Sequence, residues 1–255
     1  MSSRGGGAVL VVMLVAGVAA CASNSGQLGK KAPPAKQAET NSQIAIEYMK
    51  LGKLAEARDF VERALKEDPV NANVQLTAGL VYERLGDMPT AERAYATAAR
   101  LGKNDPDIQN NYAGFLCRTG KTAAGEKLFG EVAHNPLYRT PEIALVNAGV
   151  CLRGTGDMLD AQRYFNQALT IRPNMPEALL QLGSVAIDQG NGAEALDYVH
   201  RFLAVNPATP EVLWLGFRAE RKLGDNTAAA VFARRVQTEF PNSEQALLMR
   251  SGTDR

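Results

Sequence analysis

The chain has 255 residues, 45% hydrophobic and 22% charged, enough apolar material for one large core or two small ones and too much for a chain disordered along its length. A formal net charge of +1, from 28 basic and 27 acidic side chains, excludes the electrostatic footprint of a nucleic-acid binder, and three cysteines exclude a disulfide scaffold. Two histidines without a partner at metal spacing leave little for a zinc site, so neither metal nor cofactor is expected. Alanine is abundant, 39 residues, against 8 Phe, 7 Tyr and 1 Trp, a balance suited to helices that pack closely.

Taken from the N-terminus, Arg4 precedes an apolar run from Ala8 to Ala20. That run is shorter than the roughly 20 residues a membrane-spanning helix needs, and residues 1–20 read as a secretory signal peptide. It ends in Val18-Ala19-Ala20-Cys21, which resembles the lipobox of bacterial lipoproteins. The resemblance implies cleavage before Cys21 and its acylation; an ordinary signal peptide cleaved near a cysteine is the alternative. Ala22 is not the Asp that retains such lipoproteins at the inner membrane, so the implied place is the periplasmic face of the outer membrane. Without residues 1–20 the chain carries 27 basic and 27 acidic side chains. Residues 21–40 are rich in Ser, Gly, Pro, Lys and Ala, lack a hydrophobic period, and read as the lipidated N-terminus and a flexible tether.

From residue 41 to 250 one unit recurs. Glycines at Gly52, Gly86, Gly120, Gly156, Gly190 and Gly224 stand 34, 34, 36, 34 and 34 residues apart. Five residues after each comes a small residue, Ala57, Ala91, Gly125, Ala161, Ala195 and Ala229; four further on come Val61, Tyr95, Phe129, Phe165, Val199 and Ala233. Prolines close most units, at Pro69, Pro173, Pro207 and Pro241, with Pro106 and Pro136 near the corresponding places. Apolar residues recur at helical spacing on both sides of each glycine, for example Val74, Ala78, Val81 and Tyr82 before Gly86 and Ala91, Ala94, Tyr95 and Ala98 after it. Each unit is therefore a helical hairpin that cannot bury its apolar face alone and must stack on its neighbours. The period and pattern resemble the tetratricopeptide repeat. The expected fold is all-α: a right-handed superhelical solenoid of six tetratricopeptide helix-turn-helix repeats, a capping segment over Ser243–Met249 and a tail over 251–255.

In that register the first helices line a concave face. The expected partner-binding groove holds Ile46, Met49, Leu76, Leu80, Val146, Val150, Leu180, Ile187 and Trp214, with Arg118, Arg153, Arg218 and Arg221 beside them. The alternative for any one of them is a core residue displaced by one helical position. Asn111 and Asn147 occupy a place used by carboxylate-binding tetratricopeptide domains, but Asn110, Gly114 and Glu177 stand where the accompanying groups belong. A hydrogen bond between neighbouring helices is the expectation for the two asparagines.

Cys117 and Cys151 lie one unit apart, near the ends of neighbouring first helices. In an oxidising compartment they form a disulfide candidate, contributing about 3–4 kcal/mol in the chain-entropy model; two small buried hydrophobes are the alternative. No HExxH, GxSxG or GxxxxGK motif is present, and no enzyme is expected.

The lipobox, tether and six repeats together resemble the periplasmic pilotins of type IV pilus systems, the PilF/PilW family. The more specific stretches are Asn110–Leu116, Leu137-Tyr138, and Leu215–Arg218 leading to Phe240–Ser243. The resemblance implies an outer-membrane lipoprotein that binds the pilus secretin and promotes its localisation and multimerisation, or keeps pili stable. It implies a protein partner, with no nucleic acid and no small-molecule substrate. Cys117 and Cys151 also resemble a disulfide pair of some members. Gly125 in place of Ala and the longer connection before the fourth repeat depart from the regular pattern. A scaffold for cell-wall enzymes or for outer-membrane protein assembly is the alternative reading.

Overall fold

The computed structural model describes residues 33–251, and all regular structure among them is helical. Six hairpins follow one another: α1 (Pro34–Lys50) with α2 (Leu54–Glu67), α3 (Ala72–Arg84) with α4 (Met88–Leu101), and α5 (Pro106–Arg118) with α6 (Thr122–Ala133). Then come α7 (Pro141–Gly154) with α8 (Met158–Ile171), α9 (Pro176–Asp188) with α10 (Gly192–Val205), and α11 (Pro210–Leu223) with α12 (Asn226–Glu239). A short helix, α13 (Glu244–Ser251), covers the C-terminal end. Every first helix packs on its own second helix, and each of the first five also packs on the first helix of the next hairpin, the stacking that a unit unable to bury its own face requires.

The hairpin turn is made by two adjacent residues with different tasks. All six repeat glycines hold positive φ, from 72° to 88°, where a side chain would be strained. The next residue starts the second helix: Asp87, Asp157, Asn191 and Asp225 each accept from the backbone N–H three residues on, at 2.8–3.2 Å. In the first and third repeats Lys53 and Lys121 hold that place and supply no side-chain cap. Pro69, Pro173, Pro207 and Pro241 fall just after second helices. Pro106 has the opposite role from the one read in the sequence. With Pro141, Pro176 and Pro210 it stands in the first turn of a first helix, where its missing N–H has no partner to lose.

The small residue five places after each glycine is buried in every hairpin, and Val61, Tyr95, Phe129, Phe165 and Val199 one turn later are at most 2% exposed. The facing first helix is thinned to match. A Cβ on Gly149 would lie 2.5 Å from the Phe165 ring, so only glycine lets α7 approach α8 that closely. The largest core cluster runs from Leu145 to Ala246, with smaller ones toward the N-terminus.

The N-terminal boundary differs from the expectation. The solenoid was expected from residue 41, but α1 begins at Pro34, because Ala38 already sits in an inward stripe with Ser42 and Ala45 and packs on Ala64 and Val74. At the other end Ser243 accepts from the Ala246 N–H at 3.2 Å, and fully buried Ala246 seats the capping helix. Cys21, the signal segment, most of the tether and the tail from 252 lie outside the described residues.

The structure places the Cys117 and Cys151 sulfurs at bonding distance across α5 and α7, with Cα atoms 5.5 Å apart. This explains why the third repeat carries Gly125 where the others carry Ala. A Cβ there would stand 2.4 Å from Cys117 Sγ and 2.9 Å from the Ala113 carbonyl oxygen. The sulfur fills the space of the missing methyl. Gly125→Ala is expected to destabilise the protein by about 1–3 kcal/mol through overpacking, and by clearly less in a Cys117→Ala/Cys151→Ala background. Urea unfolding of the four proteins checks this; an equal penalty in both backgrounds would remove the sulfur as the obstacle.

Candidate partner-binding groove

The first helices bring part of the expected groove together at two places. Near the N-terminus α1 and α3 enclose a cleft of about 360 Å³ that contains Ile46, Leu76 and Leu80. Helical spacing builds it: Ser42 and Ile46 stand four residues apart on α1, and Leu76 and Leu80 four apart on α3. The start of α3 is fixed by Asn71, whose side chain accepts from the Asn73 and Val74 N–H groups at 3.0 and 3.3 Å. Leu76 and Leu80 rest on the buried Ala91, Tyr95 and Phe115. Met49 packs instead against the core cluster that includes Ala45, Val61 and Val81.

A second cleft, about 380 Å³, lies between α5 and α7, lined by Asn110, Asn111, Gly114, Arg118, Asn147, Val150 and both cysteines. Val150 is 44% exposed there. The bond expected between Asn111 and Asn147 is made differently: Asn147 Nδ2 donates across the helices to Asn110 Oδ1 at 3.3 Å, while Asn111 Nδ2 donates to the Asp107 carbonyl of its own helix at 2.8 Å.

Two of the expected groove residues are core. Val146 and Ile187, 6% and 1% exposed, belong to the large apolar cluster, because their helix positions face the packed side of α7 and α9. Leu180 is half-buried against the same cluster. Trp214 is half-buried with its ring on Phe217, centroids 5.3 Å apart, so it is partly consumed by packing.

Three of the expected arginines have partners inside the protein. Arg118 holds both carboxylate oxygens of Glu83, at 2.6 and 3.0 Å, and the Tyr95 hydroxyl donates to the same carboxylate at 2.7 Å. Arg153 donates to Gln181 at 2.8 Å and to Asp188 at 3.1 Å, and Arg218 reaches the other Asp188 oxygen at 3.6 Å. Burial pushes the Glu83 carboxyl up, but the hydrogen bonds from Arg118 and Tyr95 outweigh it and leave the group below the usual carboxylate range. Burial and the Glu83 carboxylate push the Tyr95 phenol above its ordinary value. The same pairing raises Arg118.

Ser42, Thr77, Gln43, Asn73 and Glu39 also line the N-terminal cleft and were not singled out from the sequence. The signal was present in Ser42, a hydroxyl in the inward stripe between Ala38 and Ala45. Among the described residues no three His, Cys, Asp or Glu side chains gather as a metal site, and no helix is long and apolar enough to cross a membrane.

Stacked hairpins with a groove lined by first helices define a protein-binding repeat solenoid. Sequence profiles of the tetratricopeptide repeat match residues 43–107 and 152–215, about half of the chain, and the chain belongs to the tetratricopeptide repeat family. It is 21% identical over 238 residues to the type IV pilus assembly protein PilF of Pseudomonas aeruginosa, covering 92% of this chain and 94% of PilF. The crystal structure of PilW, described as a widely conserved type IV pilus biogenesis factor, superposes with a TM-score of 0.71 at 28% identity, over 83% of this chain and 97% of PilW. The P. aeruginosa PilF structure gives 0.67 at 20% identity, over 86% and 99%. The likeness to PilF and PilW and the all-α tetratricopeptide fold are thereby shown.

Because the folded-state pKa of Glu83 lies below its unfolded value near 4.5, its contribution is present above that pH and is lost as pH falls through the lower, folded value. Glu83→Gln is expected to cost about 1 kcal/mol at neutral pH, allowing for the exposure of Arg118, and to flatten the acid limb of stability. Urea midpoints between pH 7 and pH 3 check this; parallel curves for the two proteins would contradict it.

Proposed function

We propose that the chain is a pilotin, an outer-membrane lipid-anchored adaptor that binds the type IV pilus secretin and promotes its localisation and multimerisation. The observation that carries the reading is the likeness to PilF, which spans 92% of this chain and 94% of PilF, so nearly the whole solenoid of each has a counterpart in the other. Function here is binding. Cys21 carries the acyl chains that set the destination, the periplasmic face of the outer membrane, and two or more chains hold stably there. The first helices grip a secretin segment, and a Cys117–Cys151 bridge fixes the third repeat against the fourth.

The groove chemistry supports a particular kind of grip. Arg118 is engaged by Glu83, and Arg153 and Arg218 share Asp188, so the first helices offer a partner chiefly amides and the apolar side chains Ile46, Leu76, Leu80 and Val150. Shape and apolar contact, rather than attraction of an acidic peptide, then select the partner.

Deleting the gene is expected to abolish twitching motility and remove secretin multimers from the outer membrane; unchanged multimers and motility would defeat the adaptor. Leu76→Glu and Leu80→Glu are expected to weaken secretin binding at least tenfold without unfolding the protein, and full binding by both would move the site elsewhere. Cys21→Ser is expected to shift the protein to the soluble periplasmic fraction, as cell fractionation reads directly.

A further inference from the structure

The N-terminal cleft contains a group that the fold does not use. Ser42 is 6% exposed, and its Oγ is buried without a hydrogen-bond partner. A hydroxyl inside a helix has a local remedy, donation to the carbonyl four residues earlier. Thr40, Thr77, Thr119, Thr170 and Thr238 all take it, at 2.9–3.0 Å. Ser42 does not. Its neighbours on the inward stripe, Ala38 and Ala45, are fully buried alanines, so packing alone would be served by a methyl group. An unsatisfied buried polar group costs stability, and one that persists asks for an explanation.

The surroundings describe that partner. Ile46, Leu76 and Leu80 form the apolar part of the cleft wall. The Thr77 hydroxyl is occupied by the Asn73 carbonyl, and the Asn71 side chain by the start of α3. Ser42 is thus the hydroxyl left to a ligand, and Glu39 is the one ionisable side chain in the lining. The Ser42 oxygen is shielded from solvent, and a turn about its single χ1 bond is the movement by which it would reach the cleft with α1 in place.

We propose that the Ser42 hydroxyl is a partner-contacting group. The occupant is a segment of the protein partner that sets a large apolar side chain against Ile46, Leu76 and Leu80, a polar group on Ser42, and a cationic side chain toward Glu39. This rests on the adaptor reading and specifies what the adaptor recognises.

The test uses the full mature chain and the secretin purified from the same organism, comparing wild type with Ser42→Ala, Glu39→Gln and Leu80→Glu by equilibrium binding at two salt concentrations, alongside thermal unfolding. Ser42→Ala is expected to bind about three- to tenfold more weakly, the loss of one hydrogen bond, while unfolding at the same or a higher temperature than wild type. Glu39→Gln is expected to bind more weakly and with less salt dependence. If Ser42→Ala binds as wild type while Leu80→Glu is defective, the hydroxyl inference falls and the adaptor stands. If Ser42→Ala loses stability together with affinity, the hydroxyl is a structural group and the inference falls. Glu39→Gln with unchanged affinity and salt dependence removes the cationic contact. Wild-type chain that does not bind the secretin overturns the adaptor itself.

Discussion

The distance between paired helices governs this molecule. Each hairpin closes around a methyl group or a hydrogen atom: Ala57, Ala91, Ala161, Ala195 and Ala229 on the second helices are at most 1% exposed, and Gly125 in the third repeat is likewise buried. Larger residues one turn away, Tyr95, Phe129 and Phe165, are buried as well, and the rings of Tyr95 and Phe165 lie against Gly79 and Gly149 of their own first helices. Because a solenoid has no central core, an error in one crossing passes to the next hairpin through the stacking angle, and the groove inherits the sum. The alanine surplus in the composition reflects this geometry.

The groove is more internally occupied than a row of first-helix side chains suggests. Periodicity gave the face of each helix but could not say which arginine finds a carboxylate one repeat away, since Glu83 and Arg118 are separated by 35 positions and meet only after stacking. Two clefts lie along the first helices, one with an apolar wall beside Ser42, Thr77 and Glu39, and one lined by amides beside the two sulfurs.

Much of the fold was legible in the sequence because its signals are local. Gly86-Asp87 and its counterparts encode both a left-handed turn and a helix cap within two residues, and the 34-residue period repeats them often enough to be read. The site was legible in part. Ile46, Leu76 and Leu80 came together as expected, whereas Val146 and Ile187 went to the core, because a position on the border between groove and packed side is settled by the crossing angle of neighbouring helices, which no single helix encodes. Trp214 illustrates the same limit, its ring being shared between packing on Phe217 and solvent. The early start of α1 was hidden by composition: the stretch from Pro34 reads as linker, and only its stacking on Ala64 and Val74 makes it a helix.

The side-chain ties along the first helices form an unbroken sequence. Glu83 on α3 holds Arg118 on α5, the adjacent Cys117 meets Cys151 on α7, Arg153 on α7 holds Asp188 on α9, and Asp188 is shared with Arg218 on α11. Repeats two to six are thus laced together on the concave side, while among the described residues no ion pair or sulfur bridge crosses from α1 to α3. The first repeat is joined to the second by apolar packing, Ala45 and Val61 against Ala78 and Val81, and its helix α1 forms one wall of the N-terminal cleft. Salt, which screens ion pairs, and a reductant, which opens a sulfur bridge, therefore bear on the junctions from α3 to α11 and leave the junction of α1 with α3 to apolar packing.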